Sequence, residues 1–207
     1  MNVAIIGASG YTGLELIKIL INHPKFNIAY IANSSGEMNV QDLHPCLKNV
    51  INMDVSLANA SEVAKVADLA FLALPHKTAM AFAKDLLNLG VKVVDLSADY
   101  RLSLENYEKH YCEHEDKEHI NEAVYGLPEY FKEDIKTANL IANPGCYPTA
   151  SLLALLPFID YIDTDAPIFI DAKSGVSGAG KNPSETTHYC QINDNVHAYN
   201  PFKHRHM

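Results

Sequence analysis

NVAIIGASGYTGLELIKILI, residues 2–21, decides how the rest of the chain is read. Val3–Gly7 is a continuous apolar run ending on glycine, the pattern of a strand buried on both faces of a parallel sheet. Directly after it, Leu14, Ile17, Leu20 and Ile21 recur on one helical face, with Glu15 and Lys18 turned away. Between strand and helix stands GASGYTG, with glycines at 7, 10 and 13. The spacing is G-x-x-G-x-x-G rather than the commoner G-x-G-x-x-G, yet the physical requirements are the same. Gly7 permits the tight turn, Gly10 lets main chain approach a pyrophosphate, and Gly13 lets the helix pack close to the strand. N–H groups at the helix N-terminus then face the phosphate charge, and Ser9, Tyr11 and Thr12 add hydroxyl donors.

Working outward, further apolar runs occur at Ile28–Ala32, Leu69–Leu74, Val91–Leu96 and Leu140–Asn143, with Ile168–Ala172 later. Helical stretches lie between them; Thr78–Leu89 is one, with Gly90 as its stop. Alternation of strand and helix predicts an α/β fold, a Rossmann-like doubly wound, mostly parallel sheet spanning residues 1–145. Residues 146–207 supply a helix, a strand and a Gly/Ser-rich loop, too little for an independent second domain. Ser103–Asp134 is crowded with Glu, Lys, His and Tyr and is expected to be a solvated helix and loop. Its histidines 110, 114 and 119 are read as surface residues rather than a metal site, and no metal is expected.

The chain has 207 residues, 48% of them hydrophobic and 20% charged, enough apolar material for a full core. A net charge of −9 with no basic block argues against nucleic acid and anionic membrane surfaces. No apolar run approaches the roughly 20 residues that span a bilayer. The opening MNVAIIGASG has no charged leader or cleavage site, so a cytoplasmic protein is expected. Cysteines 46, 112, 146 and 190 form no C-x-x-C pair and suggest neither a zinc site nor a disulfide framework.

The end of the second strand bears on the dinucleotide. An NAD site usually carries an acid about 20 residues beyond the loop, for the ribose hydroxyls. Here the chain reads IANSSG, and Asn33, Ser34 and Ser35 bring no negative charge, which permits a 2′-phosphate and favours NADP. The same residues also suit a simple turn. LALPHKT and DLSADYRL place His76 and Ser97–Arg101 after two further strands, on the edge where doubly wound sheets bind ligands. His76 also suits an ordinary helix start and is assigned no chemistry.

NPGCYPTA, residues 143–150, sets Cys146 between a strand end and an apolar helix. A thiol there feels the positive end of the helix dipole, which favours thiolate. On these grounds a packing cysteine and a nucleophile are equally open. The order GASGYTG, DLSADYRL, YGLPE, NPGCYPTA, SGVSGAGK and HRH resembles N-acetyl-γ-glutamyl-phosphate reductase, of the wider semialdehyde dehydrogenase group. The resemblance covers essentially the whole chain. It implies NADPH-dependent reduction of an acyl phosphate in arginine biosynthesis, with Cys146 as nucleophile and His206, or alternatively His204, as acid/base. It implies Arg101, Arg205 and Lys181 as holders of substrate carboxylate or phosphate, and Ser174 and Gly175 of the Gly/Ser loop near the cofactor. Lys181 stands where the family often has arginine, keeping the charge without the bidentate fork. Family members continue well past HRH, so residues 146–207 are expected to be the first part of an incomplete α+β substrate and dimerisation domain. The full-length form is expected to be a homo-oligomer. Aspartate-semialdehyde dehydrogenase shares the mechanism but fits NPGCYPTA and HRH less well. A catalytically impaired NADP-binding fragment is the alternative outcome.

Overall fold

The computed structural model describes residues 1–199. The chain forms two compact units, the first Met1–Pro144 and the second beginning at Gly145. In chain order the first unit contains β1 (Asn2–Ile6), α1 (Tyr11–Ile21), β2 (Asn27–Asn33), β3 (Met38–Asn39), α2 (Val40–Leu43), β4 (Asp54–Leu57), α3 (Ala60–Val66) and β5 (Leu69–Leu72). It continues with α4 (Thr78–Asn88), β6 (Lys92–Asp95), α5 (Leu104–His110), β7 (Val124–Tyr125), α6 (Pro128–Thr137) and β8 (Leu140–Ala142).

The eight strands form one sheet in the order β3-β4-β2-β1-β5-β6-β8-β7, and only the β3–β4 pair is antiparallel. From β1 the chain winds outward through β2 and β4, then returns to place β5 and β6 on the other side. The reversal falls between β1 and β5, and ligands of such sheets sit beyond the carboxyl ends at that switch. The glycine loop after β1 therefore lies at the switch.

Side-chain alternation along β1 divides the core. Val3 and Ile5 pack with Ile17, Leu20, Ile31 and Val40 on one face; Ala4 and Ile6 pack with Leu72, Met80, Ala83 and Leu86 on the other. All four β1 residues are fully buried, which is why the strand reads as an unbroken apolar run. α4 ends as its sequence foretells. Gly90, at φ +80°, donates to the Leu87 carbonyl at 2.9 Å, and Val91 donates to Leu86 at 3.0 Å. That is the Schellman pair that satisfies two orphan carbonyls.

Among its described residues the second unit contains α7 (Cys146–Leu155), three 3₁₀ turns and α8 (Tyr189–Ile192). The strand expected at Ile168–Ala172 is not formed. Among the described residues these five have no ladder partner, and Phe169 is 94% exposed, so neither main-chain pairing nor burial favours extended sheet.

Ser103–Asp134 also departs from its expected solvated character. Tyr107, His114, Asp116, Ile120 and Leu127 are buried, with Tyr107 and Asp116 at 0% exposure. His110 is exposed, so the three histidines do not share an environment. Polar composition misled because these groups satisfy one another. His114 Nε2 lies 2.8 Å from the Asp99 carbonyl, and the Asp116 N–H donates to His114 Nδ1 at 3.0 Å. Tyr100 Oη donates to Asp116 at 2.7 Å, and His119 Nδ1 meets the other oxygen of Asp116 at 2.8 Å. Buried polar groups are tolerated when each finds a partner.

Candidate active site

The glycine loop is built by three close approaches. The Gly7 and Ala8 N–H groups both donate to the Ala32 carbonyl, at 2.9 and 3.0 Å, which ties the loop to the end of β2. Gly7 sits at φ +91°, and a Cβ there would come within 2.2 Å of the Ala73 carbonyl oxygen beyond β5. A Cβ on Gly13 would come within 2.6 Å of the Gly7 oxygen, so the helix crosses the loop where only glycine fits. Gly10 is different: a Cβ on it would meet nothing nearer than 4.0 Å. The protein's own packing does not require glycine there, whereas a ligand laid against bare main chain would. Gly10 caps α1 without a side chain, and the first turn holds no acid, leaving the positive end of the helix uncompensated by the protein. Tyr11 and Thr12 are exposed beside it, and Ser9 is half-buried. This cradle fits a dinucleotide pyrophosphate.

At the end of β2, Asn33 is buried and its Oδ1 accepts from the Ser35 N–H at 2.8 Å and the Gly36 N–H at 2.6 Å. Gly36, at φ +65°, is pressed against β4, where a Cβ would lie 2.7 Å from the Leu57 nitrogen. Asn33 thus forms the turn, while Ser34 and Ser35 are exposed at its tip. The strand end carries no carboxylate.

The ends of β5 and β6 are joined through DLSADYRL. Asp95, fully buried, accepts from the Ser97 N–H at 3.0 Å and the Ser97 hydroxyl at 2.7 Å. Burial outweighs these bonds and pushes its carboxyl up to about 6. Asp99 Oδ2 receives the Lys77 and Met80 N–H groups at 2.9 and 3.1 Å, capping α4 from a distance. The Ala98 N–H donates to His76 Nδ1 at 2.9 Å, holding the imidazole at the same corner. Arg101 donates from Nε to the Asn143 carbonyl and from Nη2 to the Leu96 carbonyl, both at 2.7 Å. Two of its donors therefore brace the ends of β6 and β8, and burial draws its guanidinium below the usual value.

In the second unit, Cys146 is the first residue of α7, and its side chain is exposed. Gly145 caps the helix with no side chain, and the first turn has no acid. Both the Thr149 N–H and its hydroxyl donate to the Gly145 carbonyl, at 3.0 and 2.8 Å. Pro148 falls among the first residues, whose N–H groups have no helical acceptor in any case. Tyr147 and Tyr199 join hydroxyls at 2.7 Å, a bond that pushes the Tyr199 phenol up to about 12. Ser174, Gly175 and Lys181 are exposed, and the Ser174 hydroxyl donates to the Gly175 carbonyl at 3.1 Å. His204, Arg205 and His206 lie outside the described residues. Cys46 and Cys190 are exposed and Cys112 is partly buried. No group of three metal-ligating side chains occurs among the described residues, and none of their helices is long and apolar enough to cross a membrane.

Two residues of this region were not singled out in the sequence. Asp99 lies inside DLSADYRL with no signal of its own, yet it organises the start of α4. His44, whose ring nitrogen meets the glycine loop at Ala8, carried no signal, because 36 positions separate the two.

Comparison with known proteins matches this anatomy. The sequence model described as "Semialdehyde dehydrogenase, NAD binding domain" matches residues 2–138, and "Semialdehyde dehydrogenase, dimerisation domain" matches residues 146–207. An N-acetyl-gamma-glutamyl-phosphate reductase of Sulfurovum sp. is 61% identical over 206 residues, covering 100% of this chain and 62% of the relative. That of Wolinella succinogenes is 59% identical, over 99% of this chain and 60% of its own length. The chain thus spans about three-fifths of the length of these relatives. Among solved structures, aspartate semialdehyde dehydrogenase with NADP from Candida albicans superposes with a TM-score of 0.57 at 18% identity, over 77% of this chain and 47% of that one. Aspartate semialdehyde dehydrogenase II from Vibrio cholerae gives 0.55 at 21%, over 78% and 43%. These two likenesses concern the fold alone. Two domain matches in order, identity above one-half along the whole length, and a doubly wound sheet with its glycine loop at the switch converge: the chain belongs to the semialdehyde dehydrogenase family.

Proposed function

We propose that the chain carries the dinucleotide-binding domain and the nucleophile of an N-acetyl-γ-glutamyl-phosphate reductase, reducing the acyl phosphate to N-acetylglutamate semialdehyde in arginine biosynthesis. The observation that carries this reading is Cys146, an exposed sulfur opening a ten-residue helix whose N-terminus has neither a capping side chain nor an acid. The sulfur lies at the positive end of the helix dipole, and a thiolate is both a good nucleophile and a good leaving group.

In the proposed reaction, the Cys146 sulfur attacks the acyl carbon, the carbon–oxygen bond to phosphate breaks, and inorganic phosphate leaves a thioester. NADPH, when bound, would supply the hydride that reduces this thioester. The resulting thiohemiacetal on Cys146 collapses, releasing the aldehyde and returning the thiolate. His206, with His204 as the alternative, takes the thiol proton and protonates the developing oxyanion. Gly7, Ser9, Gly10, Tyr11, Thr12 and Gly13 hold the pyrophosphate, Ser34 and Ser35 the 2′-phosphate, and Ser174 and Gly175 the nicotinamide end. Lys181, Arg205 and the remaining donors of Arg101 bind the substrate's anionic groups. The preference for NADP is supported by the end of β2, where Asn33, Ser34 and Ser35 bring no carboxylate. The dimerisation-domain match supports a homo-oligomer.

A second reading is a module that binds NADP without turnover, and one assay separates the two. The purified chain, mixed with N-acetylglutamate semialdehyde, phosphate and NADP, is followed for NADPH absorbance. Phosphate-dependent reduction that disappears in Cys146→Ser supports the reductase. NADPH binding without turnover, alongside activity in a longer chain, supports the module. Tighter binding of NADH than of NADPH overturns the reading of Ser34 and Ser35.

A further inference from the structure

We propose that His44 is a positioning residue for the phosphate-binding loop, holding its main chain in the shape that receives the dinucleotide pyrophosphate. The inference rests on reading residues 7–13 as the dinucleotide loop and names a residue outside every motif of that reading. His44 ends α2, in the excursion that leaves the sheet after β3 and rejoins it at β4. Its ring is buried, with the residue 7% exposed, and Nε2 lies 2.7 Å from the carbonyl oxygen of Ala8.

The chemistry of this contact has one sense. A carbonyl oxygen only accepts, so Nε2 carries the hydrogen and the ring donates. Ala8 is thereby held on both sides: its N–H is on the Ala32 carbonyl at 3.0 Å, and its C=O is on His44. Because the peptide is planar, fixing the Ala8 carbonyl also fixes the plane of the Ala8–Ser9 peptide in the middle of GASGYTG. This carbonyl precedes the helical ladder, which is entered by the Leu14 N–H on Gly10 at 3.1 Å, so α1 does not orient it. Further restraints on the loop include the Gly7 N–H on the Ala32 carbonyl at 2.9 Å, the Gly10 N–H on the Gly7 carbonyl at 3.4 Å, and glycine packing against Ala73 and across Gly13.

The base from which His44 reaches is itself fixed. The Val40 N–H donates to Met53 at 2.9 Å, and Asn39 caps α2 through the Gln41 N–H at 3.1 Å. The Leu47 N–H donates to the His44 carbonyl at 2.8 Å, and Val40 and Leu47 are buried in the same core cluster as Ala8 and Ile17. A side chain that must hold a loop to fractions of an ångström needs such a supported backbone.

The test compares the full chain with His44→Leu, which keeps bulk and loses the donor, and His44→Gln, which keeps an N–H donor. The dissociation constant for NADPH is read from nicotinamide fluorescence, and the urea midpoint is measured alongside it. His44→Leu is expected to weaken NADPH about tenfold, the size of one lost hydrogen bond, and His44→Gln to recover most of that affinity. If His44→Leu does not fold, His44→Asn, too short to reach Ala8, takes its place with the same expectation. Unchanged NADPH affinity in a folded donorless variant overturns the inference, as does a His44→Gln no better than His44→Leu. A wild-type chain that binds no NADPH overturns the reading of the loop and this inference with it. Wild-type binding that the variants leave untouched overturns the inference alone.

Discussion

The Tyr107 hydroxyl donates to Asp99 Oδ1 at 2.7 Å, while Oδ2 of the same carboxylate caps α4 through the N–H groups of Lys77 and Met80. One buried side chain therefore joins the start of α4 to the middle of α5, with three donors offsetting the cost of burying its charge. Lys77 sits at φ +73°, an unfavourable conformation for a residue with a Cβ, and its N–H on Asp99 helps hold it there. Burial and the Asp99 charge both push the Tyr107 phenol above its ordinary value, so it stays a donor. Tyr107→Phe removes one of the three donors and keeps the ring. It is expected to lower stability by about 1–2 kcal/mol, seen as a lower urea midpoint at unchanged slope. An unchanged midpoint would remove this bond from the account of how α4 is held.

Gly7→Ala tests the loop's steric basis. Its Cβ would meet the Ala73 oxygen at 2.2 Å, and φ +91° is closed to alanine without strain. Destabilisation of more than about 2 kcal/mol is expected in urea unfolding. Gly10→Ala, which meets nothing nearer than 4.0 Å, is expected to cost less stability and to act on NADPH affinity instead. A Gly10→Ala variant that unfolds as readily as Gly7→Ala would contradict the division of labour between these glycines.

Asp95 sets a pH dependence whose sign follows from its burial. Its folded-state value, about 6, stands above the ordinary 3.8, so between these pH values the folded chain keeps a proton that the unfolded chain releases. Its contribution is fully present below about pH 4 and is lost as pH rises through about 6, by on the order of 3 kcal/mol. Asp95→Asn, similar in shape and without the charge, is expected to flatten that slope in urea midpoints measured from pH 4 to 7. A slope unaltered by the substitution would assign the dependence to other groups.

Much of the first unit was legible because its central strands β1 and β5 are buried on both faces and read as unbroken apolar runs, whereas the short, more exposed β3, β4 and β7 carry no such run. The glycines were legible for a related reason, since Gly7 and Gly13 occupy places where any Cβ collides. The Tyr107–His114–Asp116 network was not legible, because composition reports polarity and cannot report that polar groups have found one another. Arg101 shows a similar limit: the motif identifies a cation, but only the fold reveals the two carbonyls that it braces. His44 escaped notice because a contact across 36 residues leaves no periodic trace. The strand expected at Ile168–Ala172 failed for the opposite reason, since apolar residues specify a strand only where another strand or a core receives them.

Asn33 carries a consequence for how such a protein could change over generations. Its Oδ1 shapes the turn by accepting two N–H groups, and an aspartate oxygen can do the same from the same reach. Codons for the two residues differ by a single base. A carboxylate at the end of β2 is therefore one mutational step away and leaves the turn's two hydrogen bonds standing. The charge at this strand end can change independently of the turn that carries it.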